Sequence, residues 1–229
     1  MALDGPRVPP AAGGAPRQLV IFAHGYGSNG ADLIGLAPYL AQALPHAAFV
    51  SPNAPQPVPG FPGQAFQWFG LANMDPHRLA MGVQDAAPAL DAFIDAELTR
   101  AGVPAAACAL VGFSQGAMMS LHVGPRRRER LGAVAAFSGL LAAPERLAAE
   151  IRTRPPVLLC HGDRDDRVPP QSLFAALGAL ADAQAPALWR LCGGEGHTIP
   201  EAALALAAEF LATAFAGGLD GWSGPARRA

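Results

Sequence analysis

Lysine is absent: all 16 basic residues of the 229-residue chain are arginine. Schiff-base chemistry on a lysine amine and phosphate binding by a P-loop lysine are excluded with it. Charge of either sign is sparse, at 15% of residues and a formal net charge of -2. That offers no broad basic surface for nucleic acid and no acidic excess of the kind that keeps a chain disordered. Cysteine is limited to Cys108, Cys160 and Cys192, each at the start or end of an apolar run and without a C-x-x-C pair. A disulfide framework or zinc knuckle is therefore disfavoured, and buried free thiols in a reducing, cytoplasmic setting are expected. No basic start followed by an apolar core suggests a signal peptide, and no apolar run approaches the ~18 residues that span a bilayer. H-E-x-x-H is missing too, and neither a metal nor a cofactor is expected.

What is present is alternation. Short apolar runs that end in glycine or polar turns are separated by alanine- and leucine-rich stretches at helical spacing. This is the pattern of an α/β domain with a mostly parallel central sheet and helices on both faces. One domain is expected over residues 17–216, with a flexible N-terminal extension at 1–16 and a loosely ordered tail at 217–229. Strands are expected at 19–23, 48–51, 107–112, 133–137, 157–160 and 187–191, most of them apolar on both faces. Helices are expected at 32–44, 78–101, 115–128, 144–151, 171–183 and 200–216, with Pro88 kinking or dividing the second and Pro125 ending the third early. Residues 52–76 hold too much proline and glycine for regular structure, and too many aromatics (Phe61, Phe66, Trp68, Phe69) for a solvated linker. A lid or binding loop is expected there.

Gly112-Phe113-Ser114-Gln115-Gly116 matches G-x-S-x-G where a buried strand meets a helix. A serine held in such a turn projects above the sheet, and glycines two residues away let strand and helix approach each other. The helix start also directs the Gln115 N–H and a positive dipole end toward any oxyanion formed at Ser114.

A serine hydroxyl needs a base, and the base needs an orienting carboxylate. Of six histidines, His46 and His77 read as solvated, His122 lies on the helix after Ser114, and His24 and His161 precede glycines at strand ends, where turn bonding is the expected role. His197, in the loop before the last helix, stands where the chain order Ser, acid, His requires. The acid lies among Asp163, Asp165 and Asp166, and spacing does not separate them.

These blocks together resemble the bacterial phospholipase/carboxylesterase family, relatives of the acyl-protein thioesterases. The likeness rests on Phe22-Ala23-His24-Gly25-Tyr26-Gly27-Ser28, the elbow around Ser114, His161-Gly162-Asp163-Arg164-Asp165 with Val168-Pro169, and Gly196-His197. The resemblance implies an α/β-hydrolase fold and a serine carboxylesterase that works through an acyl-enzyme without a cofactor, and the aromatic loop at 52–76 adds the expectation of short- to medium-chain esters. The same machinery would serve a lysophospholipase or an acyl-thioesterase, and a non-catalytic binding module on this fold is the remaining alternative. The resemblance further selects Asp165 as the acid and Tyr26 as the second oxyanion N–H, and it places Trp68-Phe69 over the acyl site with Met118 nearby. The chain departs from the family pattern at Asp166, where proline is usual, and at Gly116-Ala117, where a glycine pair is usual. The expected partner is a small-molecule ester, and a homodimer is left open.

Overall fold

Leu19 and Ile21 enter one core while Val20 and Phe22 enter another on the opposite side of the same strand. A strand that feeds two cores has no position left for a polar residue, which accounts for its unbroken apolar sequence. Residues 3–61, 63, 65–71 and 74–221 are described by the computed structural model. In chain order they form β1 (Arg7–Val8), β2 (Gln18–Ala23), α1 (Gly30–Leu33), α2 (Ala37–Ala41), β3 (Ala47–Val50), β4 (Gln56–Pro57), β5 (Phe66–Gln67), α3 (Pro76–Ala101), β6 (Cys108–Phe113) and α4 (Gln115–Val123). Then follow β7 (Ala133–Phe137), α5 (Leu147–Glu150), β8 (Val157–Gly162), α6 (Gln171–Asp182), β9 (Ala187–Cys192) and α7 (Glu201–Phe215).

Among the described residues the main sheet runs β1-β3-β2-β6-β7-β8-β9, with every pairing parallel except β1 to β3. On one face, α1, α2 and α7 cover Val20, Phe22, Val111, Ala135 and Leu158. On the other, α3 and α4 cover Leu19, Ile21 and Leu110, while α5 and α6 cover Val134, Val157 and Leu159. Parallel strands all end on one side of the sheet, where α/β proteins place their sites. Here β2 leads to His24, β6 to Ser114, β8 to Asp165 and β9 to His197.

Several expectations need correction. The segment set apart as an N-terminal extension contributes β1, which pairs Arg7 with Val50 and Val8 with Phe49, and Arg7 ion-pairs with the buried Glu97 of α3. Pro88 does not divide α3, because Leu79, Val83, Ala86, Leu90, Phe93, Ile94 and Leu98 bury one continuous face across it. The helix after Ser114 ends at Val123 and tightens to a 3-10 turn over Gly124–Arg126, as Pro125 dictates. The helix expected at 32–44 is likewise broken, with a 3-10 turn at Ile34–Leu36 between α1 and α2. The proline-rich loop contains the small antiparallel pair β4–β5. Finally, β9 is an edge strand, with Leu188, Trp189 and Leu191 exposed rather than buried on both faces. Of the expected tail, residues 222–229 lie outside the described residues. No described helix is long and apolar enough to cross a membrane.

Candidate active site

Ser114 sits at φ 54°, ψ -117°, a conformation that a side-chain-bearing residue rarely adopts. Its neighbours explain how the turn is held. A Cβ on Gly112 would lie 2.3 Å from the Gly116 carbonyl oxygen, and one on Gly116 would lie 1.9 Å from the Ala23 carbonyl oxygen, so both positions require glycine. The Ser114 N–H donates to the Phe137 carbonyl at 2.9 Å, which ties the turn to β7.

Above this turn the three sequence-predicted residues meet. His197 Nε2 is 2.9 Å from Ser114 Oγ, and His197 Nδ1 is 2.7 Å from Asp165 Oδ2. The Phe113 ring lies against the imidazole with centroids 4.9 Å apart, which limits its rotation. A Cβ on Gly162 would lie 2.3 Å from the Gly196 carbonyl oxygen, so glycine there admits the histidine loop to the end of β8.

The three competing aspartates separate by their bonds. The Asp165 side chain is fully buried, and its Oδ1 accepts the Arg167 and Val168 N–H groups, each at 2.9 Å. Burial pushes the Asp165 carboxyl up, but the Val168 N–H, His197 and the Arg167 N–H together outweigh it and hold the group below the usual carboxylate range. It is therefore an anion fixed against His197. Asp163 Oδ1 instead accepts the Gly194 N–H at 2.7 Å and steadies the loop that carries His197. Asp166 is exposed, 3.7 Å from Arg167 Nε.

The two expected oxyanion donors flank Ser114. Gln115 opens α4, whose first-turn N–H groups have no intrahelical acceptor. Tyr26 follows Gly25, where a Cβ would lie 3.3 Å from Ser114 Cβ, so this backbone reaches the serine. His24 orients that backbone. The Ala54 N–H donates to His24 Nε2 at 2.9 Å, which requires a bare Nε2 and leaves the proton on Nδ1. Nδ1–H then donates to the Gly25 carbonyl at 2.8 Å, and Gly25 O shares its peptide plane with the Tyr26 N–H. Burial pushes the His24 pKa down and keeps the ring neutral for this role.

Trp68, Phe69 and Met118, expected to bind substrate, are all buried within the core under α3 and α4 and expose almost no surface. Trp68 acts as a strut: its indole Nε1–H donates to the His24 carbonyl at 2.9 Å. Sequence reasoning missed the Gln115 side chain, which accepts the Trp68 N–H through Oε1 and donates to the Phe69 carbonyl through Nε2. It also read His24 and His161 as turn residues only. The signal available was their shared place, each a histidine-glycine pair at the C-terminal end of an inner strand. Among the described residues no group of three or more His, Cys, Asp or Glu side chains is disposed to hold a metal ion.

Residues 8–215 match the sequence model of a family described as phospholipase/carboxylesterase. Acyl-protein thioesterase 1 of Yarrowia lipolytica is 35% identical over 156 residues, which cover 64% of this chain and 68% of that protein. Esterase YpfH of Escherichia coli is 27% identical over 195 residues, 85% of this chain and 82% of that one. Among solved structures, esterase PE8 matches with a TM-score of 0.87 at 44% identity, covering 92% of this chain and 98% of its own. With four strand ends converging on one serine and this likeness along nearly its whole length, the chain belongs to the phospholipase/carboxylesterase family of α/β-hydrolases.

Proposed function

We propose that the protein is a serine carboxylesterase that hydrolyses short- to medium-chain carboxylic esters of small molecules, with Ser114, His197 and Asp165 as its triad. The observation that carries this reading is the continuous path from Ser114 Oγ through His197 to Asp165, at 2.9 Å and 2.7 Å. His197 Nε2 takes the Ser114 proton as Oγ attacks the ester carbonyl, and the new oxyanion is received by the Gln115 and Tyr26 N–H groups. Asp165 keeps Nδ1 protonated and stabilises the imidazolium. The protonated His197 then gives its proton to the departing alcohol, leaving an acyl-Ser114 ester. Water repeats the cycle in reverse, with His197 again the base, and releases the acid. No step draws on a group beyond these side chains and amides.

Trp68, Phe69 and Met118 serve this reading from beneath, by fixing the floor and the oxyanion strand rather than by touching substrate. Acyl-thioester hydrolysis is the second reading, favoured by the Yarrowia lipolytica relative named an acyl-protein thioesterase. We place the reaction in the cytoplasm, supported by Cys108, Cys160 and Cys192 all being buried free thiols.

The test is labelling with a fluorophosphonate probe followed by a panel of p-nitrophenyl esters from acetate to palmitate alongside matched thioesters. Labelling at Ser114 with an optimum at short to medium esters is expected. No labelling would overturn the hydrolase mechanism, and higher kcat/KM on every thioester would select the second reading.

A further inference from the structure

A second imidazole lies against Asp165 Oδ2. His161 Nε2 lies 3.2 Å from it and 3.0 Å from the Val168 carbonyl oxygen, and the His161 side chain is almost wholly buried. A carbonyl oxygen only accepts, so Nε2 must carry the proton and donate it to Val168 O, with Asp165 Oδ2 3.2 Å from the same nitrogen. The remaining surroundings are apolar: a cavity of about 10 Å³ beside His161 is lined by Leu121, Ala136, Leu159, Leu173 and Ala176. The nearest charge within reach of this buried donor is therefore the carboxylate that holds His197.

We infer that His161 is a positioning residue for the reaction: its Nε2–H, with the Arg167 and Val168 amides, fixes the Asp165 carboxylate so that Oδ2 meets His197 Nδ1 in line. The inference rests on the triad reading above. Its physical content is that a carboxylate anchored only through Oδ1 pivots about that oxygen, whereas a donor at Oδ2 removes the pivot. Hydrogen bonds to a charged group are stronger than neutral ones, and a misaligned base loses rate steeply.

Two isosteric replacements separate this role from a structural one. In His161→Gln the amide nitrogen takes the place of Nε2 and the donor remains. In His161→Asn the amide nitrogen falls where Nδ1 was, so polarity is kept but the donor to Asp165 is withdrawn. With p-nitrophenyl butyrate, His161→Gln is expected to keep kcat within about threefold of the parent. His161→Asn is expected to lower kcat by about ten- to a hundredfold, with KM within about threefold. In an Asp165→Asn background, His161→Asn is expected to cost less than about twofold more, because the two residues act through one carboxylate.

An Asn variant with more than half the parent kcat, a folded Gln variant as impaired as Asn, or losses that multiply in the double variant would each overturn the inference. If the Asn variant does not fold, Gln decides alone: a folded Gln variant that loses more than tenfold in kcat overturns the donor assignment, and one near parental rate sustains it. Failure of the parent to react with a fluorophosphonate is a separate result, and it overturns the triad reading instead.

Discussion

The side-chain amide of Gln115 brackets the backbone at Trp68: Oε1 accepts the Trp68 N–H at 2.9 Å while Nε2 donates to the Phe69 carbonyl at 2.8 Å. The residue whose own N–H is proposed to receive the oxyanion thus also anchors the loop from which Trp68 reaches the His24 carbonyl. Both halves of the proposed oxyanion site are joined through one amide side chain, and all the polar atoms in the join are paired. A fully satisfied buried network of this kind is rigid, and partial loss of it is costly.

Trp68→Phe tests that link, since it removes the indole donor and keeps an aromatic ring in the core. We expect a kcat loss of about tenfold across all ester chain lengths, with KM little changed, because one buried hydrogen bond to a carbonyl is lost. A change confined to longer acyl chains would instead restore Trp68 as part of the acyl wall.

Ser114→Ala should lower kcat by about four or more powers of ten and leave the melting temperature near that of the parent. Steady-state hydrolysis with thermal melting checks both. Retention of more than a tenth of activity would remove Ser114 from the mechanism.

Asp165→Asn should be far more damaging than either neighbour. It replaces the anion against His197, while Asp163→Asn weakens a loop bond to Gly194 and Asp166→Asn alters an exposed side chain. The expected order of kcat is Asp166→Asn near parental, Asp163→Asn reduced modestly, and Asp165→Asn reduced by about three to four powers of ten. Any other residue at the bottom of that order reassigns the acid.

Acid stability should be governed in part by His122. Its Nδ1 is buried without a partner among the described residues. Burial and Arg126, opposed by Glu150 and joined by Arg146, push its pKa down to about 4. The unfolded chain therefore takes up a proton first. The contribution of His122 is intact above its unfolded value near 6.5 and is lost as pH falls toward 4. By pH 5 the loss is about 2 kcal/mol, or about 5 °C in melting temperature. His122→Gln should melt at pH 5 at a temperature near its own value at pH 7, whereas the parent drops. Equal drops in both proteins would show that another group controls the acid limb; neutral His24, also pushed down by burial, is next in order.

The positions of the parallel strands along the chain and the meeting of Ser114 with His197 were legible because each rests on a local rule. Two-sided burial wrote apolar runs, and the elbow wrote glycines where strand and helix collide. The acid was legible only by resemblance, since Asp163, Asp165 and Asp166 are chemically equal in sequence and differ solely in which amide or imidazole the folded turn presents to each. The burial of Trp68, expected over the acyl site, was not legible for a related reason. An aromatic in a proline-rich loop looks the same whether it faces a substrate or plugs the core, and the deciding bond, to His24, spans 44 positions. The exposure of β9 escaped notice because Leu188, Trp189 and Leu191 are as apolar as the residues of any inner strand.

The placement of β9 couples a fragile margin of the sheet to the base. Among the described residues it is paired on one side only, to β8, and its last residue, Cys192, leads within five positions to His197. Marginal strands open at lower free-energy cost than interior ones. Fraying of β9 would carry His197 away from Ser114 while β2, β6 and β7 remain assembled. Hydrolytic rate in urea is accordingly expected to vanish at a lower concentration than the helical signal, with full recovery on dilution, so that the catalyst can be silenced while most of its scaffold persists.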